Sequence, residues 1–202
     1  MKSERVKPFS EDLEVWLKSR GPKTLLSLDE VFAEKSFAVL FLILLAIPAV
    51  PAPTGGISHV FEAIAILIAA QVVIGRRNLW LPRRWRRLGV GKTMRTKVMP
   101  TLVRLIRWFE KYSRPRLSGV VQSGWLLRLF GLMVIVFSAT AALAPPFSGL
   151  DTLPALGVVL MSLAIILEDF LLFLIGLIVG SVGVGIVFVL GKATLELLFH
   201  FF

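Results

Sequence analysis

The chain has 202 residues, 56% of them hydrophobic, with a mean hydropathy of +0.80 and a formal net charge of +10. A soluble globule of this length has too little interior to hide so much apolar surface, so the composition points to a membrane protein. With no cysteine and only two histidines, His59 and His200, disulfides, thiol nucleophiles and thiolate metal sites are excluded and zinc finds too few ligands.

Residues 1–35 read as a cytoplasmic or interfacial segment of short helices. Leu13, Trp16 and Leu17 share one helical face, Gly21-Pro22 ends that helix, and Ser27 to Glu30 has the spacing of a capping box. The first long apolar run starts only near Ser36, behind this charged leader. Insertion through internal segments is therefore expected rather than a cleavable signal peptide.

Residues 36–77 read as a first membrane hairpin. Ser36 to Ile47 and Val60 to Gly75 are apolar, and Pro48 to Gly56 separates them with three prolines and two glycines. At 1.5 Å per residue these helices measure roughly 18 and 24 Å. Both fall short of a hydrocarbon core of roughly 30 Å, so a re-entrant or shortened hairpin is expected. Lys35 at one end and Arg76-Arg77 at the other place both ends in the cytoplasm.

Residues 78–124 form a basic linker. Between Arg76 and Arg128 there are fifteen Lys/Arg and one acid, Glu110, giving +14; the rest of the chain carries eight Lys/Arg and twelve Asp/Glu, giving −4. Lying between two apolar blocks, this charge follows the positive-inside rule and suits anionic lipid headgroups. It carries no recognition motif for nucleic acid. Leu102, Leu105, Ile106 and Phe109 make an apolar stripe with Arg104, Arg107 and Lys111 off it, the pattern of a basic amphipathic surface helix.

Residues 125–202 hold a second hairpin and a C-terminal transmembrane helix. Trp125 to Leu143 reads as a shortened span, Pro145 to Gly149 as a break, and Pro154 to Leu167 as a short helix ending at Glu168-Asp169. Phe170 to Leu190 is a full span whose Gly176, Gly180 and Gly183 share a face, where a second copy is expected to pack as a homodimer. A shift of 93 residues lays Pro53 on Pro146, Gly56 on Gly149, Leu67 on Leu160 and Arg76 on Asp169. The expected fold is thus an all-α integral membrane protein of two broken helical hairpins, related as an internal repeat.

The run Lys35-Ser36-Phe37 into an apolar helix, the Pro-rich stretch from Pro48 to Gly56, then Gln71-Val72-Val73-Ile74-Gly75-Arg76 and Trp80-Leu81-Pro82 resembles the ExoD-like family of bacterial inner-membrane proteins. Two places depart from the family's pattern: Lys35 stands where an arginine is expected, and Glu168-Asp169 where Arg-Asp is expected. The resemblance implies a polytopic membrane protein linked to exopolysaccharide production and alkali tolerance, without a nameable enzymatic activity.

Charges at membrane depth usually face a cavity, pair with one another or mark a pathway. Arg76 and Arg77 against Glu168 and Asp169 are therefore the first candidate site for a substrate or ion, with Gln71 one to two turns before the arginines. A guanidinium fork could hold a phosphate or carboxylate, and a carboxylate could exchange a proton or cation. The same charges also serve simply to set topology. The second candidate is the first break, where Gly55 and Gly56 lead into a helix N-terminus that favours an anion, with His59, Glu62 and Asp151 nearby. Gly89-Val90-Gly91-Lys92-Thr93 mimics the end of a P-loop, but Arg86 occupies the required glycine position. Ser58, His59 and Asp151 lack the nucleophile elbow of a triad. No catalytic residue, metal or cofactor is expected. The leading reading is a small transporter or lipid- or ion-handling protein with a polar site between two pseudo-symmetric hairpins. A scaffold subunit of a polysaccharide assembly complex comes second, and an intramembrane enzyme using Glu62, His59, Glu168 and Asp169 third.

Overall fold

The computed structural model describes residues 8–20, 27, 31–32, 35–50, 57–76, 80, 96, 98–113, 119, 123–144 and 148–201. Among them the chain forms seven helices and no β-strand. They are α1 (Phe9–Lys18), α2 (Ser36–Leu45), α3 (Ile57–Val73), α4 (Met99–Tyr112), α5 (Gly124–Leu143), α6 (Thr152–Leu167) and α7 (Phe170–Phe201). The all-helical class read from the sequence is the observed one.

Two helices are long and apolar enough to cross a membrane: α5, and α7 over Phe170–Gly191. The span expected to be shortened is thus full length. Ser123 accepts a hydrogen bond from the Leu126 amide at 3.3 Å and starts α5, whose 20 residues measure roughly 30 Å. By contrast α2, α3 and α6 have 10, 17 and 16 residues. At roughly 15, 26 and 24 Å they fall short of a hydrocarbon core of roughly 30 Å. Residues 51–56 and 145–147, which carry most of the two breaks, lie outside the described residues, and so does the capping box beyond Ser27.

α2, α3, α5 and α6 form the body of the bundle. α3 packs along α5 and α2 along α6, while α2 also touches α3 and α5 touches α6. Exchanging α2 with α5 and α3 with α6 maps this set of neighbours onto itself. Phe41 and Phe130 meet at 5.5 Å, and Phe130 and Phe173 at 6.5 Å, forming the aromatic centre of the apolar core.

The ends of α3 and α6 have the same local geometry. Gly75 and Glu168 are both in the left-handed region, at φ 87° and 56°. The amide after each reaches back five residues to a carbonyl, Arg76 to Gln71 at 3.0 Å and Asp169 to Ala164 at 3.0 Å. This is the long hydrogen bond that closes a Schellman-type helix end. Both pairs are separated by 93 residues.

The glycine stripe of α7 is used within the chain, against the expectation that a second copy covers it. A Cβ on Gly157 of α6 would lie 2.5 Å from the Cα of Gly180, and one on Gly183 2.6 Å from Pro154. Backbone-to-backbone approach of this kind requires both helices to be small at the contact. The face of α7 left exposed carries Leu171, Leu174, Ile175, Ile178, Val182, Phe188 and Val189 instead.

α1 and α4 make a separate polar-faced layer. Leu13 and Trp16 of α1 are buried together with Met99, Leu102, Val103 and Ile106 of α4. Of the stripe expected to lie on lipid, Leu102 and Ile106 are thus buried and Leu105 and Phe109 half-buried. Glu110, the one acid of the basic linker, holds the first turn of α1: its carboxylate accepts from the Ser10 amide at 2.9 Å and from the Ser10 hydroxyl at 2.5 Å. Glu14 of α1 bridges Lys18 and Arg107 of α4.

Candidate functional site

At one end of the bundle the start of each hairpin meets the end of the other. Lys35, just before α2, donates from Nζ to Glu168 Oε1 at 2.8 Å and to the Ile166 carbonyl at 3.0 Å. A lysine there suits the negative end of the α6 dipole as well as the carboxylate. Its Nζ also lies 5.9 Å from the centre of the Phe9 ring, which ties α1 to the bundle.

The expected approach of Arg76 or Arg77 to Glu168 or Asp169 is seen only in part, because Arg77 lies outside the described residues. Among the described residues no ion pair joins them, and Glu168 belongs to Lys35. α3 and α6 each lie along a helix of the other half, and their ends share one cleft without an ion pair between Arg76 and Glu168 or Asp169 among the described residues. Asp169 caps the next helix. Its Oδ1 accepts from the Leu171 amide at 3.0 Å and more weakly from Leu172 at 3.4 Å, capping α7, and Oδ2 accepts from the Ser113 hydroxyl at 3.0 Å. Gln71 Oε1 accepts from the Trp80 amide at 2.9 Å, which holds the chain just beyond α3.

Arg76 keeps a different neighbour. It lines a cleft of about 170 Å³ between the halves, together with Arg128, Phe37, Val72, Phe130 and Ile165. Arg128 rises from the first turns of α5 and lies flat against Gly75, where an added Cβ would sit 3.1 Å from its Nη2. Among the described residues neither guanidinium has an ion pair, and the Arg76 side chain stands 6.0 Å from the ring of Trp80. Arg77, Gly55 and Gly56, also expected at the site, lie outside the described residues. Arg128, Phe37 and Phe130 were missed. The 93-residue shift contains them, since it lays Arg128 on Lys35 and Phe130 on Phe37.

Glu62 sits elsewhere, inside the α3–α5 contact. It is fully buried; His59 Nδ1 is 3.1 Å from its Oε2, and among the described residues its Oε1 has no hydrogen-bond partner. The pair can hold or pass a proton, but it stands apart from the arginine cleft, near the opposite end of α3. Among the described residues no three of His, Asp and Glu converge on a metal position.

The family model described as exopolysaccharide synthesis, ExoD, matches residues 9–189, nearly the whole chain. The chain belongs to the ExoD family. An uncharacterized protein of Synechocystis sp. is 31% identical over 177 residues, which cover 84% of this chain and 79% of that protein. Protein ExoD of Rhizobium meliloti is 31% identical over 144 residues, covering 67% of this chain and 57% of that protein. No solved structure matches. The ExoD family is thus linked to exopolysaccharide synthesis, and the match takes in both halves of the bundle and the arginine cleft between them.

Proposed function

We propose that this ExoD-family chain is a multi-pass inner-membrane protein that serves exopolysaccharide synthesis as a small transporter or lipid- or ion-handling protein, without catalysing a reaction itself. In this reading its two hairpins are an internal repeat, and the working site lies where they meet. Support for the repeat comes from the reciprocal packing of α2, α3, α5 and α6 and from the matching helix ends at Gly75 and Glu168. The single observation that carries the site is the cleft holding Arg76 and Arg128 between the halves, at the end of the bundle where the basic linker leaves it. Two cations beside an apolar wall suit a ligand with one anionic end and one apolar end. The orientation follows from the linker charge, which puts the cleft on the cytoplasmic side.

The test is complementation of a strain lacking the gene, with exopolysaccharide yield as the readout and the amount of protein in the membrane fraction as the control. The wild-type chain should restore the yield, and Arg76→Ala with Arg128→Ala should not, at equal membrane abundance. Full restoration by the double variant would remove the cleft from the function.

A further inference from the structure

We infer that Arg128 and Arg76 bind a phosphate group, seated where the other half of the bundle holds its own carboxylate. The inference rests on the reading of the two halves as a repeat. Under the 93-residue shift Lys35 corresponds to Arg128 and Glu168 to Gly75. In one half the cation before the hairpin meets a glutamate at the left-handed helix end, Nζ to Oε1 at 2.8 Å. In the other half the cation lies against the same left-handed position, but the residue there is a glycine and supplies no carboxylate. The place of the missing side chain opens into the cleft of about 170 Å³. Arg76 adds a second guanidinium to it, whereas its counterpart in the other half is Asp169, which caps α7.

Several chemical points select phosphate. Lysine in the closed half is a point charge suited to one carboxylate oxygen, while arginine presents a planar fork that matches two oxygens of an oxyanion. Two guanidiniums balance a phosphate dianion, whereas a carboxylate would satisfy one of them. The volume far exceeds the roughly 30 Å³ a single water occupies, so there is room for the group and its first waters. Phe37 and Phe130 form an apolar wall beside it, which accepts the carbon part of a phosphorylated solute or the upper acyl region of a phospholipid. Both sources present phosphate oxygens to the guanidinium forks, as a dianion from a phosphorylated solute and as a diester monoanion from a phospholipid.

The experiment uses the purified full chain and needs no variant for its first arm. In a neutral detergent, the thermal midpoint is measured with inorganic phosphate against chloride at equal ionic strength. In a second arm the chain is placed in nanodiscs of phosphatidylcholine alone or with phosphatidylglycerol. A free phosphorylated solute as the natural source predicts saturable stabilisation by phosphate in detergent. A headgroup as the source predicts stabilisation by phosphatidylglycerol and little by free phosphate. Either effect should weaken about tenfold or more in Arg128→Gln, the loss expected for a charge-assisted hydrogen bond. Gly75→Glu supplies the tethered carboxylate and should abolish the effect with the helical signal retained, since Glu168 adopts the same backbone region. Because phosphatidylcholine also carries a phosphodiester, equal midpoints in phosphate and chloride, and in both nanodiscs, would overturn the assignment when Arg128→Gln leaves each of those midpoints unchanged. That result would leave the complementation test standing, so a wrong ligand class and a wrong site remain distinguishable. Stabilisation unchanged in both Arg128→Gln and Gly75→Glu would place the anion elsewhere and overturn it as well.

Discussion

Lys35 and Glu168 are 133 residues apart in sequence and 2.8 Å apart in space, joining the start of the first hairpin to the end of the second. Their side chains are 32% and 23% exposed, so the pair is partly solvated and its Coulomb term is moderate. Lys35 also satisfies the Ile166 carbonyl, which Glu168 does not. Lys35→Met should therefore cost more than Glu168→Gln. A double-mutant cycle by thermal denaturation in detergent should give a coupling of about 0.5–1 kcal/mol. A coupling of zero would reduce the contact to two independent helix-end charges.

The tight contact of α6 with α7 predicts opposite outcomes for two glycines. Gly157→Ala places a methyl 2.5 Å from the backbone of Gly180 and should destabilise by about 1–3 kcal/mol or more. Gly185→Ala, on the same α7 with nothing within 4 Å, should be neutral or stabilising by up to about 1 kcal/mol from helix propensity. Midpoints of thermal unfolding compare the two directly. Equal losses at both positions would mean that α6 and α7 do not pack through this stripe.

Much of the bundle was legible because apolar runs, prolines and caps are local signals. The helix limits near Ser36, Leu143, Leu167 and Phe170 follow from them. Pairing is not local, and the contacts across the halves were not legible for that reason. Arg76 and Asp169 are equivalent under the 93-residue shift, which suggested that they meet. Reciprocal packing instead brings the start of one hairpin to the end of the other, so Lys35 meets Glu168 and Arg128 meets Gly75. Arg128 entered the sequence reading only as the last charge of the basic stretch, although the same shift places it on Lys35. The glycines of α7 signalled a close helix contact correctly, but nothing in their spacing says whether the neighbour is α6 or a second copy. In α4 the stripe was visible while its cover, α1, lay some ninety residues away.

The α1–α4 layer carries its own pH dependence. Hydrogen bonds from Lys18, and then from Arg107, hold the Glu14 carboxyl below its ordinary value of 4.5. A lowered folded-state value means that the contribution is present above the ordinary glutamate range and is lost as pH falls through the lowered value. Protection factors of α1 amides, with exchange corrected for its intrinsic pH dependence, should therefore fall below about pH 4.5 in the wild type. Glu14→Gln should remove that component, and raised salt should weaken it, since the group is exposed. An acid response that is identical in Glu14→Gln would assign it to other carboxylates.

The most direct measurement of the central claim, that the two halves meet around Arg76 and Arg128, is cross-linking in native membranes. The cysteine-free chain permits it. Arg76→Cys and Arg128→Cys are introduced together and treated with a short bifunctional thiol reagent, and each is also labelled alone with a membrane-impermeant maleimide from either side. The predicted result is an intramolecular cross-link without dimer formation, with both single cysteines labelled from the cytoplasmic side only. Labelling of the two positions from opposite sides, with no intramolecular product, would contradict a shared cleft.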